Sequence, residues 1–123
     1  MTGYLGNIEE KTLANDNYRE VVYTGPDSQL VVMSLLPEEE IGEEAHTIDQ
    51  FLRFEAGEGE VVLNGVASHV SDGFGTVVPA GAMHNVRNTG SVPLKLYTVY
   101  TAPQHPDGVV HKTKADSVAA EGH

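Results

Sequence analysis

The chain has no cysteine in its 123 residues. Disulfides and thiolate metal sites are therefore excluded, and any bound metal must be held by nitrogen and oxygen. Basic residues are few: 7 Lys and Arg stand against 18 Asp and Glu, for a formal net charge of −11. That balance argues against nucleic acid, because Lys and Arg supply the phosphate contacts that carry such binding. It argues more softly against a phosphorylated substrate, which wants a basic cluster. Only Lys112 and Lys114 lie close together. Apolar runs are a few residues long, too short for a membrane helix. The N-terminus carries Glu9, Glu10 and Lys11 instead of the basic-then-apolar start of a signal peptide, which points to the cytoplasm. The excess of acid reads first as solubility.

A long amphipathic helix and internal repeats are also missing. What recurs is short β-rich runs between turns: Tyr18 to Tyr23, Leu30 to Leu36, Phe51 to Phe54, Val61 to Leu63, Val66 to Val70, Thr76 to Val78, Asn85 to Arg87 and Leu94 to Thr101. Asn64-Gly65 between two of them is a strong hairpin signal. Many short strands with regular turns predict an all-β sandwich or barrel. The length fits one domain, residues 1–123, with a barrel core over about 18–101 and an arm over about 102–123. The arm is polar, with a short helical turn expected near Ala115 to Ala120.

One string carries the most information: Gly73, Pro79, Gly81, His84 and Asn88, or G-x5-P-x-G-x2-H-x3-N. Pro79 and Gly81 make a tight turn, and His84 opens the strand after it, so the imidazole has a fixed direction. This string resembles the second signature motif of the cupin superfamily. The first motif, G-x5-H-x-H-x3-4-E-x6-G, matches in altered form from Glu38 to Gly57. His46 and Gly57 are kept. Glu38 replaces the opening glycine, Glu44 the first histidine and Gln50 the glutamate. The resemblance runs from about Val31 to Thr101. Gly42 to Phe51 and His105 to Lys114 are similar to segments of small single-domain bacterial cupins, often labelled mannose-6-phosphate isomerase-like. It implies a double-stranded β-helix, or jelly roll.

Glu44, His46, Ile48 and Gln50 share parity, so a strand here points all four to one face. The resemblance makes that face the barrel interior, with His84 arriving from the other motif. Leu52 and Phe54 continue it as apolar walls. Phe51, Arg53, Met83, Asn85 and Arg87 then point outward, and Glu43 stays in water. The implied ligands are His46, His84, Gln50 and Glu44. Gln50 alternatively orients a histidine without touching metal. Glu44 is either a ligand or the nearest general base, the one catalytic candidate. Imidazole plus oxygen suits a divalent transition metal: Mn, Fe, Ni, Zn or Cu.

In the arm, His105, Asp107, His111 and Lys112 suggest a flap over the barrel mouth, an arm to a partner subunit or a plain surface tail. His69 and His123 have no motif around them. Phe51, Met83 and Tyr97 would cover an outer sheet face, and the resemblance implies a homodimer. The function read from the sequence is metal-dependent chemistry on a small oxygenated molecule, of isomerase, lyase or dioxygenase type. The alternative is a non-catalytic module for a small ligand. Mannose-6-phosphate isomerase ranks below both, because no phosphate anchor is visible in the barrel strands.

Overall fold

The computed structural model describes residues 3–121, so His123 lies outside the described residues. The chain runs α1 (Ile8–Ala14), β1 (Arg19–Thr24), β2 (Gln29–Leu35), β3 (Gln50–Ala56), β4 (Glu58–Leu63), β5 (Val66–Ser71), β6 (Gly75–Val78), β7 (His84–Asn88), β8 (Leu94–Tyr100), β9 (Val110–His111) and α2 (Lys114–Glu121). Six strands form one sheet in the order β6-β3-β8-β2-β1-β9, and three form a second in the order β5-β4-β7. All the pairings are antiparallel. The expected all-β jelly roll is what forms.

Period-2 alternation builds the core. On β8, Leu94, Leu96, Thr98 and Tyr100 are buried while their neighbours are half-buried. On β3, Leu52 and Phe54 turn inward as expected. With Val31, Met33, Leu35, Val61 and Val86 they fill the space between the sheets. Hydrophobic burial along these faces is the main force holding the two sheets together. Asn64 and Gly65, both with positive φ (47° and 84°), close the β4–β5 hairpin as the sequence suggests.

Helix α1 was not foreseen in the sequence. Its signal is local: Asn7 caps the helix by accepting the Glu10 amide, at 3.0 Å. Its Thr12 is fully buried.

A second expectation is corrected at residues 44–50. They do not form a strand: Glu44 makes one isolated bridge to His84, and β3 begins only at Gln50. Other bonds hold this loop, among them His46 O accepting the Gly81 amide at 2.7 Å and Asp49 O accepting the Thr101 amide at 3.1 Å. The alternation survives nonetheless. Glu43, Ala45, Thr47 and Asp49 are exposed, and Glu44, His46 and Ile48 are turned in. Asn85, expected to point outward, does so but is buried. The loop before Glu44 covers it, and its amide accepts from the Gly42 amide and donates to Glu40.

The first-motif glycines behave differently from each other. Gly57 has φ +89°, and a Cβ there would stand 2.6 Å from the Pro93 carbonyl oxygen, so the position admits no side chain. At Glu38 a non-glycine residue holds φ +72° on an exposed turn. That conformation costs roughly 1–2 kcal/mol for a residue with a Cβ, against a smaller entropic cost for glycine. Glu38→Gly should therefore stabilise the fold by about 1 kcal/mol and raise Tm by roughly 3–5 °C. Thermal denaturation checks this; an unchanged or lower Tm would show that the turn is unstrained.

Candidate metal centre

His84 begins β7, directly after the turn at Pro79–Ala82, where the Ala82 amide donates to Pro79 O at 3.1 Å. The backbones of His84 and Glu44 bond each other twice, each amide donating to the other's carbonyl at 2.9 Å. Such a pair sets the two side chains next to each other on one face. The imidazole is buried, and its Nδ1 lies 3.1 Å from the Ala82 carbonyl oxygen. A carbonyl can only accept, so Nδ1 carries a proton, and in the neutral ring Nε2 holds the lone pair. That Nε2 is buried with no hydrogen-bond partner.

Glu44 Oε1 lies 3.3 Å from His46 Nε2 and 3.7 Å from His84 Nε2. The two imidazole rings are 5.5 Å apart. Glu44, His46 and His84 offer ligand atoms that all fall within 4.8 Å of one another. Among the described residues, the two imidazoles are the only groups paired with the Glu44 carboxylate.

Gln50 is fixed by elimination. Its Nε2 donates to Thr98 Oγ1 at 2.9 Å, and Thr98 Oγ1 donates its single proton to Phe51 O at 2.9 Å. Thr98 can then only accept from Gln50, which assigns the amide nitrogen and leaves Oε1 on the other side. Gln50 Oε1 is buried and without a partner. Gln50 pairs with Tyr100 across β3 and β8, and the Tyr100 ring packs edge-on against His46 with centroids 5.7 Å apart.

An imidazole lone pair and an amide oxygen are thus buried without donors, and a carboxylate and a second imidazole stand at the same barrel interior. Buried acceptors without protons are costly, and a cation resolves that cost. The donor set of nitrogen and oxygen fits a divalent metal without thiolate. Glu44, His46 and His84 of the four sequence candidates are therefore brought together, while Gln50 is buried on β3 opposite Tyr100, whose ring touches His46.

Glu44 and His46 also open onto a cavity of about 290 Å³. Its remaining lining comes from the C-terminal segment: Gln104, His105, Pro106, Val109, His111, Ala120 and Glu121. Within the chain, this segment walls the cavity. Lys112 and Asp107 are exposed and take no part, and His69 is exposed on β5. Gln29, fully buried on β2, fastens the segment. Its side chain accepts the Gln104 and His105 amides and donates to His105 O at 2.8 Å. Strand β9 then joins β1 through Arg19↔His111 and Glu20↔Val110.

Sequence reasoning missed Tyr100, Gln29 and Arg19. Tyr100 is buried and its hydroxyl lies 3.3 Å from His105 Nε2. Burial raises the Tyr100 phenol well above its usual range, against the pull of Arg19, so it stays protonated. Tyr18 is pushed up to about 12, again mainly by burial. Arg19 is a buried basic residue on β1, on the same face as Val21; one guanidinium is not the basic cluster a phosphate wants. An arginine at an inward parity was the available signal.

Burial holds His105 down at about 4, with Arg19, His111 and His46 adding to the effect. The folded value lies below the unfolded one of about 6.5. The stability it contributes is therefore complete above that value and is lost as pH falls towards 4. Between those pH values the wild type should lose more stability than His105→Asn. Melting curves across that window check it, and equal losses would contradict the buried, neutral ring.

Residues 31–100 match the family described as the Cupin domain. The chain is 46% identical over 125 residues to the uncharacterized protein YrkC of Bacillus subtilis (strain 168), spanning 96% of this chain and 67% of that protein. It is 40% identical over 120 residues to the uncharacterized protein L612 of Acanthamoeba polyphaga mimivirus, spanning 93% and 74%. The crystal structure of BH2720 from Bacillus halodurans is similar at TM-score 0.92 and 44% identity, over 94% of this chain and 93% of that one. KdgF from Halomonas sp., at 23% identity and TM-score 0.63 over 70% and 79%, shares the fold. With both motifs placed at one barrel centre, the chain belongs to the cupin family.

Proposed function

We propose that this cupin is a metal-dependent enzyme acting on a small oxygenated molecule, with a single metal held by Glu44, His46, His84 and Gln50. The observation that carries the reading is the pair of buried, unpartnered acceptors, His84 Nε2 and Gln50 Oε1, beside a carboxylate and a second imidazole. Two imidazoles and one carboxylate form the ligand pattern of non-haem Fe(II) sites, and Mn, Ni, Zn and Cu are compatible with it. A bound metal would supply a Lewis acid to polarise a carbonyl, or a place for O2. Isomerisation, lyase chemistry and dioxygenation all lie within that range.

The chain's own residues supply the rest. Leu52, Phe54 and Val86 make an apolar floor that keeps bulk water from the interior. The Glu44 side chain is 37% exposed and opens onto the cavity, so it can carry a proton between the ligand and solvent. The Ala82 carbonyl fixes His84, and Thr98 fixes Gln50, so neither has to reorganise on binding.

A second reading is a non-catalytic module that binds a small ligand. It is favoured by the first motif, where Glu44 stands for a histidine and Gln50 for a glutamate. Turnover in a screen of carbonyl, sugar and O2-dependent reactions, abolished by His46→Ala, separates the two readings.

His84→Ala should weaken divalent metal binding by on the order of 100-fold or more. Elemental analysis after reconstitution checks this, and full occupancy in the variant would remove His84 from the centre. Gln50→Glu should bind metal about tenfold more tightly, because a carboxylate replaces a neutral oxygen. A competition titration reads it. Weaker binding would make Gln50 an orienting residue only.

A further inference from the structure

Arg19 is a buried cation without a close carboxylate, set behind the cavity lining, with its guanidinium carbon 5.3 Å from the Tyr18 ring centroid. It is 4% exposed, on the core face of β1. Its Nε has no hydrogen-bond partner. Its Nη1 donates to Ser117 Oγ at 2.6 Å and lies 3.5 Å from His111 Nδ1. The nearest carboxylate is Glu121, at 3.8 Å, and that side chain is 65% exposed. A contact so long and so wet offsets little of the cost of burying a guanidinium. His111 and Glu121 both line the cavity that Glu44 and His46 open onto. Arg19 is also the strongest charge acting on His105 and on Tyr100, after burial itself, so its field reaches the cavity lining.

We propose that the cavity is a carboxylate site, in which Arg19 takes the carboxylate of a small organic acid in place of Glu121. A guanidinium matches a carboxylate with paired N–H donors, and a partly dry setting strengthens the bond. His111 stands beside that position as a further hydrogen-bonding group. Val109, Pro106 and Ala120 give the carbon skeleton an apolar wall. At about 290 Å³ the space suits a molecule at the small end of the ligand range. One guanidinium, with Glu44 in the same lining, favours a singly charged carboxylate over a phosphate dianion, which wants a basic cluster. Glu121 sits at the end of α2 and can move into water when the acid arrives. In the part that places the acid's oxygenated end at the metal, the proposal rests on the function proposed above.

The test uses the full chain, metal-free and metal-loaded, titrated with propionate. 1-Propanol serves as the uncharged twin and inorganic phosphate as the competing anion. Amide resonances of His111, Ser117 and Glu121 report binding. Saturable shifts with propionate, and none with 1-propanol, are expected. Arg19→Gln should lower propionate affinity by about tenfold or more. Glu121→Gln, an exposed change, should raise it several-fold by removing the competitor. Should Arg19→Gln fail to fold, Glu121→Gln decides alone. No saturable propionate binding, equal affinity in Arg19→Gln, unchanged affinity in Glu121→Gln, or phosphate binding more tightly than propionate would each overturn the proposal. Metal content is measured on the same samples. Propionate binding to a protein that takes up no metal would uphold the carboxylate site while the metal reading failed.

Discussion

The double backbone hydrogen bond between Glu44 and His84 is the contact on which the centre depends. It ties a loop that has left the sheet to the first residue of β7. Other bonds hold the loop at Ile41 and His46, but this pair alone sets Glu44 directly opposite His84. With it, two stretches about 40 residues apart in sequence present their side chains to one point. The rest of the local structure serves that register. Gly81 anchors the loop at His46 O, and Asp49 O is held by the end of β8. The Gln50–Thr98–Phe51 chain of hydrogen bonds then orients the next polar group without spending its acceptor.

The centre is built for lone pairs and against protons. The Ala82 carbonyl accepts the His84 Nδ1–H, Thr98 Oγ1 accepts one Gln50 amide hydrogen, and the core behind them is apolar. In a chain with a net charge of −11, the deeply buried Arg19 stands behind the C-terminal side of the cavity, next to His111 and Glu121, which line it. Under the proposed displacement of Glu121, negative ligand atoms and this positive side chain would face one small space from different elements. That separation would orient a ligand with one metal-binding end and one acidic end.

Much of this arrangement was legible in the residues. Parity placed Leu52 and Phe54 correctly, because period-2 alternation depends only on the chain itself. The resemblance of Glu38 to Gly57 and of Gly73 to Asn88 to the two cupin motifs implied Glu44, His46, Gln50 and His84. Other features depended on contacts between distant residues. Alternation over 44–50 could not reveal that the segment lacks strand partners, since a loop pinned at His46 and Asp49 alternates as well. The C-terminal segment is polar and reads as a tail. It becomes a wall because Gln29, some 75 positions earlier, offers a buried amide to its backbone and β9 pairs with β1. Arg19 was passed over as one of several scattered basic residues, although an arginine two positions before Val21 on one strand face was the signal to follow.

The most direct test of the central claim is the anomalous difference map of a crystal grown with zinc. The account predicts one strong peak bonded by His46 Nε2 and His84 Nε2 at about 2.0–2.1 Å, with Glu44 and Gln50 Oε1 completing the set. A peak elsewhere on the molecule, or none at the barrel centre with His84 Nε2 still unpartnered, would contradict it.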